Sequence, residues 1–114
     1  MKNNRQTGSD YENLACNYLI KNGYEIIERN YRCKTSEIDI IAKKANWIIF
    51  IEVKYRSSRE YGISLEAVNA RKQMRIRKAA EIYLVTHYKR MDIPCRFDVI
   101  GIDGDKITHI KNAF

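Results

Sequence analysis

Asp39 and the triplet Glu52-Val53-Lys54 are the residues of this 114-residue chain whose types and spacing suit chemistry. Glu52 comes thirteen residues after Asp39, and each lies in an apolar, β-branched run. Unpaired charge in such a run costs several kcal/mol even after relaxation, so a partner is required. Carboxylates on adjacent strands can share a divalent cation, and Mg2+ (or Mn2+) suits oxygen ligands of this kind. A cation held there can activate water and neutralise developing charge in phosphodiester hydrolysis. Lys54, two residues beyond Glu52, can steer the water or stabilise charge. The competing reading is a structural ion-pair network without chemistry.

The elements that must position these groups follow from periodicity. The stretch Ser36 to Lys54 reads as two strands around a polar break at Lys43 to Asn46, a hairpin. In its second strand Trp47, Ile49, Ile51 and Val53 share one face; Ile48, Phe50, Glu52 and Lys54 share the other. Apolar residues on both faces predict a central strand covered on both sides. In the first strand Glu37, Asp39 and Ile41 share a face, so Glu37, Asp39, Glu52 and Lys54 are expected to meet at one edge of the sheet.

Upstream, residues 1–8 form a polar tail predicted to be mobile, and residues 9–114 a single domain. Ser9 or Asp10 can cap a helix in which Tyr11, Leu14, Ala15, Tyr18 and Leu19 make the apolar stripe. Asn22-Gly23 ends it. Tyr24 to Arg32 alternates imperfectly, as an edge or bent strand does. Downstream, residues 55–63 form a polar loop that carries Arg56 and Arg59 away from the charged strand end, which makes both candidates for phosphate contacts. Ser64 is a candidate cap for a long helix to about His87, with a break or kink at Asn69 to Arg71. The basic residues of that helix, Arg71, Lys72, Arg75, Arg77 and Lys78, spread around it as on a solvated surface. Cys95 to Ile102 is a strand, Asp103-Gly104 a hairpin turn and Lys106 to Ile110 its partner. Asp98 reads as an edge charge. The order is helix, three strands, long helix, two strands, which predicts an α/β fold with a mixed sheet and helices on its faces.

Composition bounds the partners. The chain is 45% hydrophobic and 31% charged, with a net charge of +7. That suits a folded protein whose partners are rich in negative charge, nucleic acid being the commonest. Cys16, Cys33 and Cys95 are isolated and form no metal-binding pair, which suits reduced thiols in the cytoplasm. Two distant histidines do not suggest zinc. No apolar signal core opens the chain and no run reaches the ~18 apolar residues of a membrane span, so no membrane is expected.

The ordered motifs resemble the PD-(D/E)XK nuclease superfamily, whose restriction-endonuclease-like fold has a three-layer αβββαβ core with a mixed central sheet. Within it, nearly the whole chain resembles the YraN-like family of small bacterial proteins. The matching pieces are Glu12-Asn-Leu-Ala15 with Tyr18-Leu19, Asn30-Tyr31-Arg32, Glu37-Ile-Asp39 and Phe50-Ile-Glu52-Val-Lys54. Glu66-Ala-Val68, Lys72, Arg96-Phe-Asp98-Val99 and the closing His109 to Phe114 continue the match. More remotely, the chain is similar to archaeal Holliday-junction resolvases, which place a helix Glu, a strand Asp and Glu-x-Lys in this order. The resemblance implies that Asp39 and Glu52 bind metal, that Val53 lends its carbonyl, that Lys54 positions the nucleophile and that Glu12 completes the acidic site. The chain departs from the family pattern at Tyr11 and Ser36, where Gly is usual; Tyr11 bears on how the first helix approaches the sheet.

The function expected is an Mg2+-dependent endonuclease acting on DNA, with branched or damaged DNA as candidate substrates, working as a monomer or homodimer. Two alternatives stand beside it: a nucleic-acid-binding module that keeps the fold without useful catalysis, and a structural or adaptor protein.

Overall fold

The computed structural model describes residues 8–34, 36–56, 68–90 and 92–114. Its elements run α1 (Gly8–Lys21), β1 (Glu25–Arg32), β2 (Glu37–Lys44), β3 (Trp47–Arg56), α2 (Ala70–Tyr88), β4 (Cys95–Asp103) and β5 (Lys106–Ile110). The strands make one five-stranded sheet in the order β1-β2-β3-β4-β5. The β3–β4 pair is parallel and the other three are antiparallel. This is the mixed α/β core the motif order predicts.

β3 is central because both of its faces are apolar. Ile49, Ile51 and Val53 pack with Ile40, Ile100 and Ile102 under the α1 residues Tyr11, Ala15 and Leu19. Ile48 and Phe50 pack with Val99 and Phe97 under the α2 residues Ile76, Tyr83 and Leu84. Leu14 departs from the predicted stripe of α1 and is 37% exposed, while Cys16 takes a buried place instead. β1 is the bent edge strand expected, with a register shift between Ile26 and Glu28 and a left-handed Asn30 (φ 53°).

The turns follow local chemistry. At the end of α1, Gly23 adopts φ +90°, and the Tyr24 N–H closes the helix on the Leu19 carbonyl at 3.0 Å. The β2–β3 hairpin is tighter than the polar break suggests: Lys44 pairs with Trp47, leaving Ala45 and Asn46 as the turn. Ala45 pays for this with φ 55°. The β4–β5 turn falls at Gly104, as expected.

The start of α2 corrects the sequence expectation. The helix begins at Ala70, and Asn69 is its N-cap, accepting the Lys72 N–H on Oδ1 at 2.9 Å. The proposed cap Ser64 lies outside the described residues. Residues 69–71, expected to break or kink a longer helix, begin this one, because Asn is among the strongest capping residues. Asn69→Ala is expected to cost about 1 kcal/mol and to lower the melting temperature by a few degrees. An unchanged thermal melt would show that the cap contributes nothing.

A second feature lies on the α1 side of β4. Asp98 is fully buried. Arg96 donates to both of its oxygens, Nε at 2.8 Å and Nη2 at 2.9 Å, and His109 Nε2 donates at 2.7 Å. The Asn112 N–H adds a fourth bond at 3.0 Å. Arg96 also reaches the Tyr24 hydroxyl, and His109 Nδ1 the Tyr18 hydroxyl. Asp98 is therefore the hub of a network that ties α1, β4, β5 and the C-terminal turn together, not an edge charge. Among the described residues, no helix is long and apolar enough to cross a membrane.

Candidate active site

The site forms where β2 parts from β3. Their pairing runs from Lys44 opposite Trp47 to Ile40 opposite Ile51 and stops there. Side-chain alternation slips at the same point. Ile38 and Ile41 both pack on the α2 side, while Ile40 and Ala42 pack on the α1 side. The regular alternation expected through Glu37, Asp39 and Ile41 therefore does not hold. Beyond the last ladder pair the Val53 N–H finds another acceptor, donating to Asp39 Oδ2 at 2.8 Å. A side chain has replaced a carbonyl as the sheet's hydrogen-bond partner, and this brings Asp39 to the end of β3.

Glu52 is buried, 6% exposed, and projects toward α2. Lys72 Nζ lies 2.6 Å from its Oε2, and Lys54 Nζ lies 4.0 Å from the same oxygen. Asp39, Glu52 and Lys72 line two adjoining clefts. One, of about 440 Å3, continues over Ser36, Glu37, Asn69, Arg71 and Arg75. The other, of about 390 Å3, continues over Glu12, Val53, Lys54 and Tyr55.

The electrostatics record two carboxylates held close in a half-buried place. Burial first, and the charge of Glu52 second, push the Asp39 carboxyl up to about 7, against the opposing pull of the Val53 N–H. Burial, then the neighbouring Lys72, hold Lys54 below the ordinary lysine range, only partly offset by Glu52 and Asp39. For Lys72, burial also works against the charge, but the Glu52 hydrogen bond and charge, with Asp39 behind them, carry it above the ordinary value.

Of the residues singled out from sequence, Asp39, Glu52, Val53, Lys54 and Glu12 all border this cleft. Glu12 reaches it from α1 while 3.6 Å from Arg29. Glu37 lines the other end, 3.2 Å from Arg32. The side chain of Arg56 and all of Arg59 lie outside the described residues. What the spacing did not single out is α2. Arg71, Lys72 and Arg75, expected on a solvated surface, line the cleft. The available signal was Asn69: as a cap it fixes where the first turn of α2 starts, and Lys72 is the residue whose N–H it takes.

The donor set can be weighed against a cation. Among the described residues, no three acidic, histidine or cysteine side chains converge into a full cage. Mg2+ does not need one, since it keeps several waters and binds through one or two carboxylates. Asp39, whose charge is disfavoured by burial and by Glu52, and Glu52 itself, beside a backbone segment, fit such an ion. Lys72 is the internal competitor, because its ammonium already neutralises part of Glu52.

Comparison with known sequences places these features in a group. The profile of the uncharacterised protein family UPF0102 matches residues 11–102, which span every residue that lines the two clefts. The chain is 47% identical to a UPF0102 protein of Caldicellulosiruptor bescii, over 98% of this chain and 99% of that one. It is 44% identical to one from Lachnoclostridium phytofermentans, over 98% and 95%, and 40% identical to one from Legionella pneumophila (strain Corby), over 96% and 95%.

Proposed function

This chain belongs to the uncharacterised protein family UPF0102, and from that footing we propose that it is a divalent-metal-dependent nuclease acting on DNA. The observation that carries the reading is the convergence of Asp39 and Glu52 at a cleft where Lys54 also lies. The PD-(D/E)XK resemblance of the same residues, and a net charge of +7, support it.

Asp39, Glu52 and the Val53 carbonyl would hold Mg2+ or Mn2+, with Glu12 at the margin. When bound, the ion supplies charge neutralisation and an activated water for hydrolysis of a phosphodiester. The protein does the rest by position. The Val53 N–H fixes the Asp39 carboxylate in one orientation. Lys54, held below its usual range, is suited to hold or release a proton near the attacking water. Lys72 holds Glu52 in place and keeps positive charge beside the site of the scissile phosphate.

The Lys72–Glu52 contact also favours a second reading, a nucleic-acid-binding module without turnover, since the buried charge is already partly satisfied within the protein. A cleavage assay separates the two. Wild type with Mn2+ is expected to cut at least one of single-stranded, duplex or four-way-junction DNA, and Lys54→Ala is expected to lose about 100-fold or more. Salt-sensitive binding with no cleavage would favour the second reading. Cleavage undiminished in Lys54→Ala, or persisting in EDTA, would overturn the first.

A further inference from the structure

The cleft ends, on its α1 side, at an aromatic pair. Tyr55 directly follows Lys54, and its ring stacks on that of Tyr11, with centroids 4.1 Å apart and planes 14° from parallel. Tyr11 is buried at 3% exposure, whereas Tyr55 is 47% exposed. One face of the Tyr55 ring is thus covered by Tyr11, while nearly half of the residue stays open to solvent. Tyr55 borders the cleft that holds Glu12, Asp39, Glu52 and Lys54.

We propose that Tyr55, backed by Tyr11, is a stacking site for an unpaired nucleobase, so that the cleft takes single-stranded nucleic acid in preference to continuous duplex. The inference rests on the reading of this cleft as a nucleic-acid site, not on its catalytic power.

The argument is one of geometry and cost. A base inside a duplex is stacked on both sides and has no free π-face, whereas an unpaired base does. Aromatic platforms exploit that difference with little regard to sequence. A ring already held flat by a neighbour loses little freedom when a base is added, which favours binding. Tyr55 satisfies this condition because Tyr11 fixes its plane. The far end of the cleft supplies the complement. There the first turns of α2 present Arg71 and Arg75, with Lys72 of the same helix midway, bordering both clefts. Cationic side chains at one end, an aromatic face at the other and carboxylates between them suit one strand lying across, its phosphates on α2 and a base on Tyr55. Were Tyr55 only a cover for Tyr11, any apolar side chain would serve.

That last point supplies the test. Binding of the full chain to a fluorescent thymidine oligonucleotide, and to a longer blunt duplex, is measured by anisotropy at low salt in EDTA. Tyr55→Leu, which keeps an apolar cover over Tyr11, and Tyr55→Ala are expected to weaken single-strand binding roughly tenfold, while Tyr55→Phe stays within about twofold of wild type. Duplex binding should be unchanged by all three. Melting curves confirm that each variant is folded, and Tyr55→Leu carries the test if Tyr55→Ala is not. Single-strand binding by Tyr55→Leu equal to wild type would overturn the proposal. So would equal losses for single strand and duplex, or a loss in Tyr55→Phe as large as in Tyr55→Leu. Wild type that binds neither DNA would overturn it together with the nucleic-acid reading. Wild type that shows the Tyr55 dependence but never cleaves with Mn2+ would sink the nuclease alone.

Discussion

Asp39→Asn is expected to abolish divalent-cation binding and cleavage while raising the melting temperature at alkaline pH. The two effects have one cause. In the folded chain, burial and the charge of Glu52 push the Asp39 carboxyl up to about 7. Its value in the unfolded chain is about 3.9. The folded state therefore holds this proton more tightly. The stability contributed is complete below about pH 4 and is lost as pH rises through about 7. At about pH 8 the native protein carries an ionised Asp39 at a cost that the neutral amide does not bear. Asn can still accept the Val53 N–H through Oδ1, so the hydrogen bond at the strand end survives. The variant should melt above wild type at about pH 8, and the gap should close toward about pH 5.

Function should move the other way. Loss of the proposed direct ligand is expected to cost more than about 100-fold in cleavage, because outer-shell partners alone are worth about 10–100-fold. Mn2+ should raise the melting temperature of wild type, by mass action on the folded state, and leave Asp39→Asn unmoved. Because the ion needs the ionised carboxylate, wild-type affinity should weaken about tenfold for each pH unit below about 7. Equal stabilisation of both proteins by Mn2+, or equal cleavage, would remove Asp39 from the proposed centre. A stable, inactive variant would instead mark this as a place where stability has been given up for function.

The second large effect concerns the fold. Asp98→Ala is expected to destabilise the protein by about 3–5 kcal/mol, the range for removing one partner of a buried ion pair. For a chain of this length that is a drop of at least about 10 °C in melting temperature. It is also a large share of the ~6–17 kcal/mol that such a chain has in total. The reason is that Arg96 and His109 would lose their shared acceptor within the packed side of the sheet, and the Asn112 N–H would be left unpaired. Burial by itself would raise the Asp98 carboxyl, but the bonds from His109, Arg96 and Asn112 outweigh it and hold it below the ordinary range. A carboxylate so depressed contributes stability above the unfolded value, about 3.9, and that contribution is lost as pH falls through the folded value. Wild type should therefore lose stability in acid below about pH 4 by a route that Asp98→Ala no longer has. Chemical denaturation near neutral pH measures the difference; a change under about 1 kcal/mol would mean that the network is not a keystone.

The element order, the central place of β3 and the meeting of Asp39 with Glu52 and Lys54 were legible in the residues. Burial on both faces of residues 48–53 has few structural solutions, and two charges at the end of such a strand mark its open end. Gly23 and Gly104 marked their turns because each needs a backbone conformation that glycine adopts freely. The extent of α2 was not legible, because Asn69 reads equally well as a flaw within a helix and as the cap that starts one.

The amino-acid sequence by itself determined which segments pair and which side chains are unusual for where they lie. Beyond the meeting of Asp39 with Glu52 and Lys54, only the tertiary structure decided which further partners those side chains take. The parting of β2 from β3 at Asp39 depends on a hydrogen bond between residues 14 apart in sequence. The capture of Glu52 by Lys72, the Asp98–His109 bond and the Tyr11–Tyr55 stack each join separate elements. Local propensity and periodicity act over a few residues, whereas these contacts exist only once helices and sheet have packed. Strand identity could therefore be read along the chain, while partner identity had to wait for the fold.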